Sequence, residues 1–149
     1  MRRTFAGAAA ALVVALSLGA CSGGSSSSGS SDTVPEVVSG SSWKGVRVTS
    51  GGASADVPPD ARKKIEPLLA SRAFTRPAPL REYGLDHPQA TLTYTNGAGT
   101  AADVDIGQPN FDRHFVYAQR RGRPAVYLLP ADTLRPVLAL VGVDIKPPD

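Results

Sequence analysis

The sequence predicts an α+β fold, a small antiparallel β-meander sheet with one or two helices packed on one face. Two observations carry this expectation. Within residues 90–129 apolar side chains recur at every second position, in runs broken by turn-forming residues, as half-buried antiparallel strands require. On either side, residues 58–69 and 132–141 gather apolar side chains at helical spacing.

Taken in order, residues 1–20 follow the plan of a secretory signal peptide. Arg2 and Arg3 supply positive charge, and the run from Phe5 to Ala20 is otherwise Ala, Leu and Val, interrupted by Gly7, Ser17 and Gly19. That run is shorter than the roughly 20 apolar residues a spanning helix needs, and no basic stop-transfer cluster follows. Leu18-Gly19-Ala20-Cys21 resembles the lipobox of bacterial lipoproteins, in which the thiol is acylated and the chain is cut just before it. Cys21 is the only cysteine and cannot form an intramolecular disulfide, which fits a lipid attachment point. The first expected partner is therefore a membrane, through lipid on Cys21. Two or three acyl chains hold firmly, since each buried methylene contributes about 0.8 kcal/mol.

Signal removal also changes the charge. The whole chain carries 16 basic and 13 acidic residues, a formal +3. Without Arg2 and Arg3 the basic count is 16 − 2 = 14 against the same 13 acidic residues. Such balance lacks the basic excess of a nucleic-acid binder and the polybasic run of an anionic-surface binder.

Residues 22–31 are only Ser and Gly, and residues 32–42 remain poor in apolar clusters. Residues 21–42 are accordingly expected to be the lipidated cysteine and a flexible tether, because such composition cannot offset ordering entropy by burial. The folded part is expected to be one domain over residues 43–146, with residues 147–149 a tail.

Within that domain, Trp43-Lys44-Gly45-Val46-Arg47-Val48 alternates as a first strand, and Gly51-Gly52 marks a turn. Pro58-Pro59-Asp60 reads as a helix start, with Ala61, Ile65, Leu68 and Leu69 on one face and Pro67 kinking or shortening the helix. Ala90-Thr91-Leu92-Thr93-Tyr94-Thr95 alternates and ends at Asn96-Gly97, a strong hairpin signal. Ala102, Val104 and Ile106 return on the other arm. Phe115-Val116-Tyr117 and residues 125–129 form a second hairpin around Arg121-Gly122-Arg123-Pro124. A closing helix is expected to run through Val141, capped by Asp132 or starting at Pro136.

Tyr83-Gly84-Leu85-Asp86-His87-Pro88, an alternating strand, Ile106-Gly107, Val116-Tyr117-Ala118 and Ala125-Val126-Tyr127-Leu128-Leu129-Pro130 together resemble the family catalogued as domain of unknown function 4340. The resemblance covers most of residues 43–143, in a single copy. It implies an extracytoplasmic, membrane-attached protein and carries no established activity. The link in the family that often carries Trp-x-Leu-x-x-Pro is here reduced to Trp43-Lys44-Gly45-Val46.

The residues of this motif have structural explanations. Gly84 and Gly107 permit backbone geometry that other residues resist. Leu85 is apolar, Asp86 bonds a downstream amide in a turn, and Pro88 sets the entry to a strand. Tyr117 and Tyr127 are expected to pair across facing hairpin strands or to line a groove. Three further features bear on function. Asp112-Arg113-His114 sets a carboxylate two residues from an imidazole, as a strand-borne acid-base or metal pair would. Asp103 and Asp105 share one strand face. Arg120, Arg121 and Arg123 cluster at a predicted hairpin tip, where they would reach anionic headgroups or wall polymers.

With two histidines in the chain, no zinc spacing is present, and neither a Gly-x-Ser-x-Gly elbow nor a phosphate loop occurs. No cofactor, metal or nucleic acid is expected. The expected function is a membrane-anchored extracytoplasmic lipoprotein, a non-enzymatic binding or assembly module of the cell envelope with an envelope protein as partner. It would sit on the outer leaflet of the cell membrane, or on an outer membrane where the host has one. The alternative is an envelope hydrolase or small-ligand binder with its site near Asp112 and His114.

Overall fold

The computed structural model describes residues 33–40, 43–99 and 101–148. The expected signal peptide, Cys21 and residues 21–32 of the expected tether lie outside the described residues. The strands are β1 (Glu36–Val38), β2 (Trp43–Ser50), β3 (Ala53–Asp56), β4 (Leu68–Leu69), β5 (Arg72–Phe74), β6 (Ala90–Asn96), β7 (Ala101–Pro109), β8 (Phe115–Arg120) and β9 (Val126–Pro130). The helices are α1 (Pro59–Arg62) and α2 (Ala131–Leu138).

Seven strands form one antiparallel sheet in the order β3-β2-β6-β7-β8-β9-β5, while β1 and β4 pair separately. The fold is therefore rich in antiparallel β-structure, but it is not the small meander with packed helices that the sequence predicts. The consecutive run from β6 to β9 is only the middle of the sheet. It is widened by β2 and β3 on one side and by β5 on the other.

Period-two patterning decides which face is buried. Val46 and Val48, Leu92 and Tyr94, Val104 and Ile106, and Val116 and Ala118 all turn to one face and are buried there. Tyr94 is enclosed with its phenol donating to the Ile65 carbonyl at 3.0 Å. Burial is the main cause that pushes this phenol far above its ordinary pKa, with the nearby Glu66 charge adding to it. Trp43 meets the Tyr94 ring edge-on, with centroids 5.5 Å apart. The α2 helix lies on this face, burying Ala131, Leu134, Val137 and Leu138.

Both expected helices differ from expectation. The first is the single turn α1, because Pro67 lacks a donor and Glu66 before it is biased away from helix. Leu68 and Leu69, expected on its face, form β4 instead. Arg62 from α1 reaches back to the carbonyls of Trp43 and Lys44 at 2.9 and 3.1 Å, pairing also with Glu66 at 3.0 Å. The second helix, α2, begins at Ala131 and carries Pro136 inside it, so neither Asp132 capping nor a start at Pro136 describes it. Burial of four apolar side chains offsets the missing bond at Pro136. Asp132 falls in the first turn and pairs with Arg135. A 3-10 turn, Ala139–Val141, then carries the chain toward β2 and β3.

The hairpin after β6 also departs from the two-residue turn expected at Asn96-Gly97. Its left-handed residue is Gly99, at φ 76°, and the Asn96 side chain accepts the Ala98 N–H at 3.0 Å.

The folded part starts before residue 43. Val37 and Val38 are fully buried in the main core, the Ala70 N–H donates to the Pro35 carbonyl at 2.8 Å, and the Trp43 indole donates to the Ser39 carbonyl at 2.7 Å. Residues 35–40 are thus part of the domain and not of a solvated tether. Val37→Ser should lower unfolding free energy by about 3 kcal/mol in urea denaturation, from lost burial and an unpaired hydroxyl. A change near zero would restore residues 35–40 to the tether.

Candidate functional site

The motif of residues 83–88 forms a structural lock. A 3-10 turn, Leu80–Tyr83, ends at Gly84 in the left-handed region at φ 67°. This turn lies against a register shift in β7 between Ile106 and Pro109. A side chain at Gly107 would collide with the Tyr83 carbonyl oxygen and the Leu85 side chain. Gln108 crosses the seam by donating its amide to the Glu82 carbonyl at 2.8 Å, and Gln89 does so to the Gly107 carbonyl. Leu85 is buried, Asp86 accepts the His87 N–H at 3.0 Å, and Pro88 leads into β6.

Tyr117 and Tyr127 are not cross-strand partners and do not share a groove. The register sets Tyr117 opposite Leu128 and Tyr127 opposite Ala118, so the two tyrosines occupy opposite faces. Tyr127 belongs to the main core, whereas the Tyr117 ring packs tilted against Tyr83 with centroids 4.8 Å apart, and Tyr83 stacks with Phe74 at 6.3 Å.

The three arginines of the expected cluster diverge. Arg120 points to the core face and donates to the Val37 carbonyl at 3.2 Å. Arg121 turns to the other face, where it bonds Asp105 at 2.8 Å and Asp103 at 3.3 Å. Arg123 is exposed in the turn. Asp103 and Asp105 also accept the hydroxyls of Thr93 and Thr91, at 2.7 and 2.8 Å. This network engages both carboxylates and explains the strand-face pair as cross-strand bonding. Among the described residues, no group of three or more His, Cys, Asp or Glu side chains is placed to hold a metal ion.

The connection between β7 and β8 is the most unusual surface. It is closed at its base by the Asn110 N–H donating to the Phe115 carbonyl at 2.9 Å, and by the Phe115 N–H donating to the Asn110 side chain at 3.0 Å. Arg113 adopts φ 59°, and its N–H donates to the Asn110 carbonyl at 3.1 Å. Asp112 accepts the backbone N–H of His114 at 3.0 Å. That bond is the leading cause that holds the Asp112 carboxyl below its ordinary pKa, with donation from Asn110 and the His114 charge assisting. The loop holds Phe111 completely exposed, at 103% of its reference area. Phe111, Asp112, Arg113, His114 and Pro148 line a groove of about 400 Å³.

Asp112 and His114 therefore share a groove, as the alternative reading requires. The carboxylate bonds the backbone of His114 and not its ring, and both residues are exposed. Phe111 escaped the sequence reading because an isolated aromatic between polar residues carries no periodic signal. Its neighbours Asn110 and Asp112 are the turn-forming types that could have marked the loop.

The family model described as domain of unknown function (DUF4340) matches residues 60–139, in a single copy. The chain belongs to this family. The matched segment holds the motif turn, β4 to β9, and α2. No curated protein and no solved structure matches the chain. Among the described residues, no helix is long and apolar enough to cross a membrane.

Gly107→Ala tests the lock, because the added methyl must displace the backbone of Tyr83. It should destabilise the domain by at least about 2 kcal/mol in thermal or urea unfolding. Asp112 gives a second test. Its folded pKa is lowered, so its contribution is present above the unfolded value and is lost as pH falls through the folded one. Carboxyl NMR should place its midpoint below the reference of about 3.9, and Asn110→Ala should move it back toward that reference.

Proposed function

We propose that this protein is a membrane-anchored extracytoplasmic lipoprotein, whose folded domain is a non-enzymatic binding or assembly module of the cell envelope. Anchoring rests on the sequence order of Arg2-Arg3, the apolar run and Leu18-Gly19-Ala20-Cys21. The observation that carries the binding reading is Phe111. An aromatic ring left wholly in water on a loop braced by four hydrogen bonds is preorganised for an interface. Aromatic side chains supply large contact area, and a braced loop loses little entropy when it docks.

Strand addition is the weaker mode of binding. The outer strands of the sheet are β3, of four residues and followed by Pro58-Pro59, and β5, of three residues. Short edges next to proline resist pairing with another chain. A small-ligand or hydrolytic site is the second reading, favoured by the groove that Asp112 and His114 share. Among the described residues no side chain orients the His114 ring as a base, so ligand binding fits this groove better than hydrolysis.

Cys21→Ser should move the mature protein from the membrane to the soluble fraction; retention equal to wild type would exclude lipid as the anchor. In the native host, mild cross-linking and affinity purification should enrich one envelope partner saturably. Phe111→Ala should reduce that enrichment by about tenfold without changing the melting temperature, as expected for a central aromatic anchor. Equal enrichment with both chains would remove Phe111 from the interface, and binding of a small ligand lost in His114→Ala would favour the second reading.

A further inference from the structure

The hairpin between β6 and β7 holds a dipeptide whose glycine the backbone does not need. Asn96-Gly97 has the composition of a two-residue turn, yet Gly97 lies outside the left-handed region and Gly99 occupies it instead. A β-carbon built on Gly97 comes closest to the Lys44 side chain, 2.9 Å from Cε and 3.2 Å from Nζ, the far end of a flexible residue. Neither conformation nor packing therefore requires glycine after Asn96. The consequence that remains is chemical. With no side chain on Gly97, its backbone nitrogen is an unhindered nucleophile beside the Asn96 amide.

We propose that Asn96 is a site of covalent modification, converting without an enzyme to isoaspartate and aspartate by attack of the Gly97 nitrogen, with water as co-reactant. The Asn96 side-chain oxygen accepts the Ala98 N–H at 3.0 Å, which turns the amide along the backbone that follows it, past Gly97. In the first step the Gly97 N–H gives its proton to hydroxide and the nitrogen bonds to the Asn96 Cγ. The bond from Cγ to Nδ2 then breaks, and Nδ2 leaves as ammonia with a proton from solvent. Water opens the resulting cyclic imide at one of its two carbonyls. Breaking the nitrogen's bond to the main-chain carbonyl carbon leaves isoaspartate, with the chain running through Cγ, and breaking its bond to Cγ leaves aspartate. Lys44 sets positive charge over this dipeptide, which favours both the anionic nitrogen that attacks and the carboxylate that forms. Gly97, Ala98 and Gly99 are exposed, so water and hydroxide reach the turn. Isoaspartate adds a methylene to the main chain where β6 pairs with Trp43, whose ring packs on Tyr94. The modification therefore acts on the end of β2 that Arg62 holds.

The chain has two asparagines, so Asn110, followed by the bulky Phe111, is an internal control. The folded protein is aged at body temperature, at neutral and at mildly alkaline pH, in water enriched in heavy oxygen, and its peptides are mapped by mass spectrometry. Asn96 should convert at least about tenfold faster than Asn110, because its nucleophile is held close and unhindered. Solvent oxygen should enter the product, isoaspartate should exceed aspartate, and the rate should rise with pH. Gly97→Ala should slow conversion at residue 96 by about tenfold while circular dichroism and melting temperature stay unchanged, since the backbone there accepts a β-carbon. Lys44→Met, which keeps the stem and removes the charge, should slow it about threefold at low salt. Equal conversion of Asn96 and Asn110, or a rate at Asn96 that Gly97→Ala leaves unchanged, would overturn the site. An unchanged rate in Lys44→Met would overturn the part assigned to Lys44.

Discussion

The fold depends on closing one face of a broad sheet with very little helix. Seven strands at the usual spacing span about 29 Å, whereas the eight residues of α2 extend about 12 Å. The α2 helix covers β8 and β9, and the 3-10 turn after it reaches β2 and β3. The remaining apolar surface needs another cover. The β1–β4 ribbon provides it, by burying Val37, Val38 and Leu68. This need recruits residues 35–40 into the domain, although their composition reads as tether. It also explains why cations serve as fasteners. Arg62 holds the start of β2 and Arg120 holds β1, each by donating to backbone carbonyls.

The second constraint is the seam on the opposite face. The sheet needs a cover there as well, and the chain supplies the turn at residues 80–85 in place of a helix. Close approach of the Tyr83 carbonyl to Gly107 is possible because Gly107 has no side chain, and Gln108 binds the two backbones together through the Glu82 carbonyl. Gly84, Leu85 and Gly107 of the family pattern therefore have structural roles at this turn. A family segment of residues 60–139 includes this lock but stops short of β1, β2 and β3. Since β2 lies between β3 and β6, that segment alone would expose the backbone edge of β6 and lose Val46 and Val48 from the core.

The limits of the sequence reading follow from the same physics. The strands β2, β6, β7 and β8 were legible because one face is dry and the other wet, which writes a period of two into the residues. The α1 pattern misled because Ile65 and Leu68 are buried at helical spacing although the chain between them turns at Glu66-Pro67. β1 left only Val37-Val38 as a trace, since three residues are too few to show a period. Tyr117 and Tyr127 were assigned a shared face, but register sets faces, and a one-residue offset across the second hairpin separates them. In the candidate site, Asp112 and His114 stood out by chemistry while Phe111 did not, because exposure of an aromatic is a property of the fold and not of its neighbours in sequence.

The Phe111 loop and the ribbon gain meaning from their positions in the sheet. Strand direction forces the β7–β8 and β8–β9 connections to opposite ends, and Arg120 fixes β1 near the second of them. The geometry of the Phe111 loop is already set before any contact by Asn110 and Asp112. The carboxylate of Asp112 remains ionised through the neutral range, which disfavours burying this tip in lipid even though Phe111 is apolar.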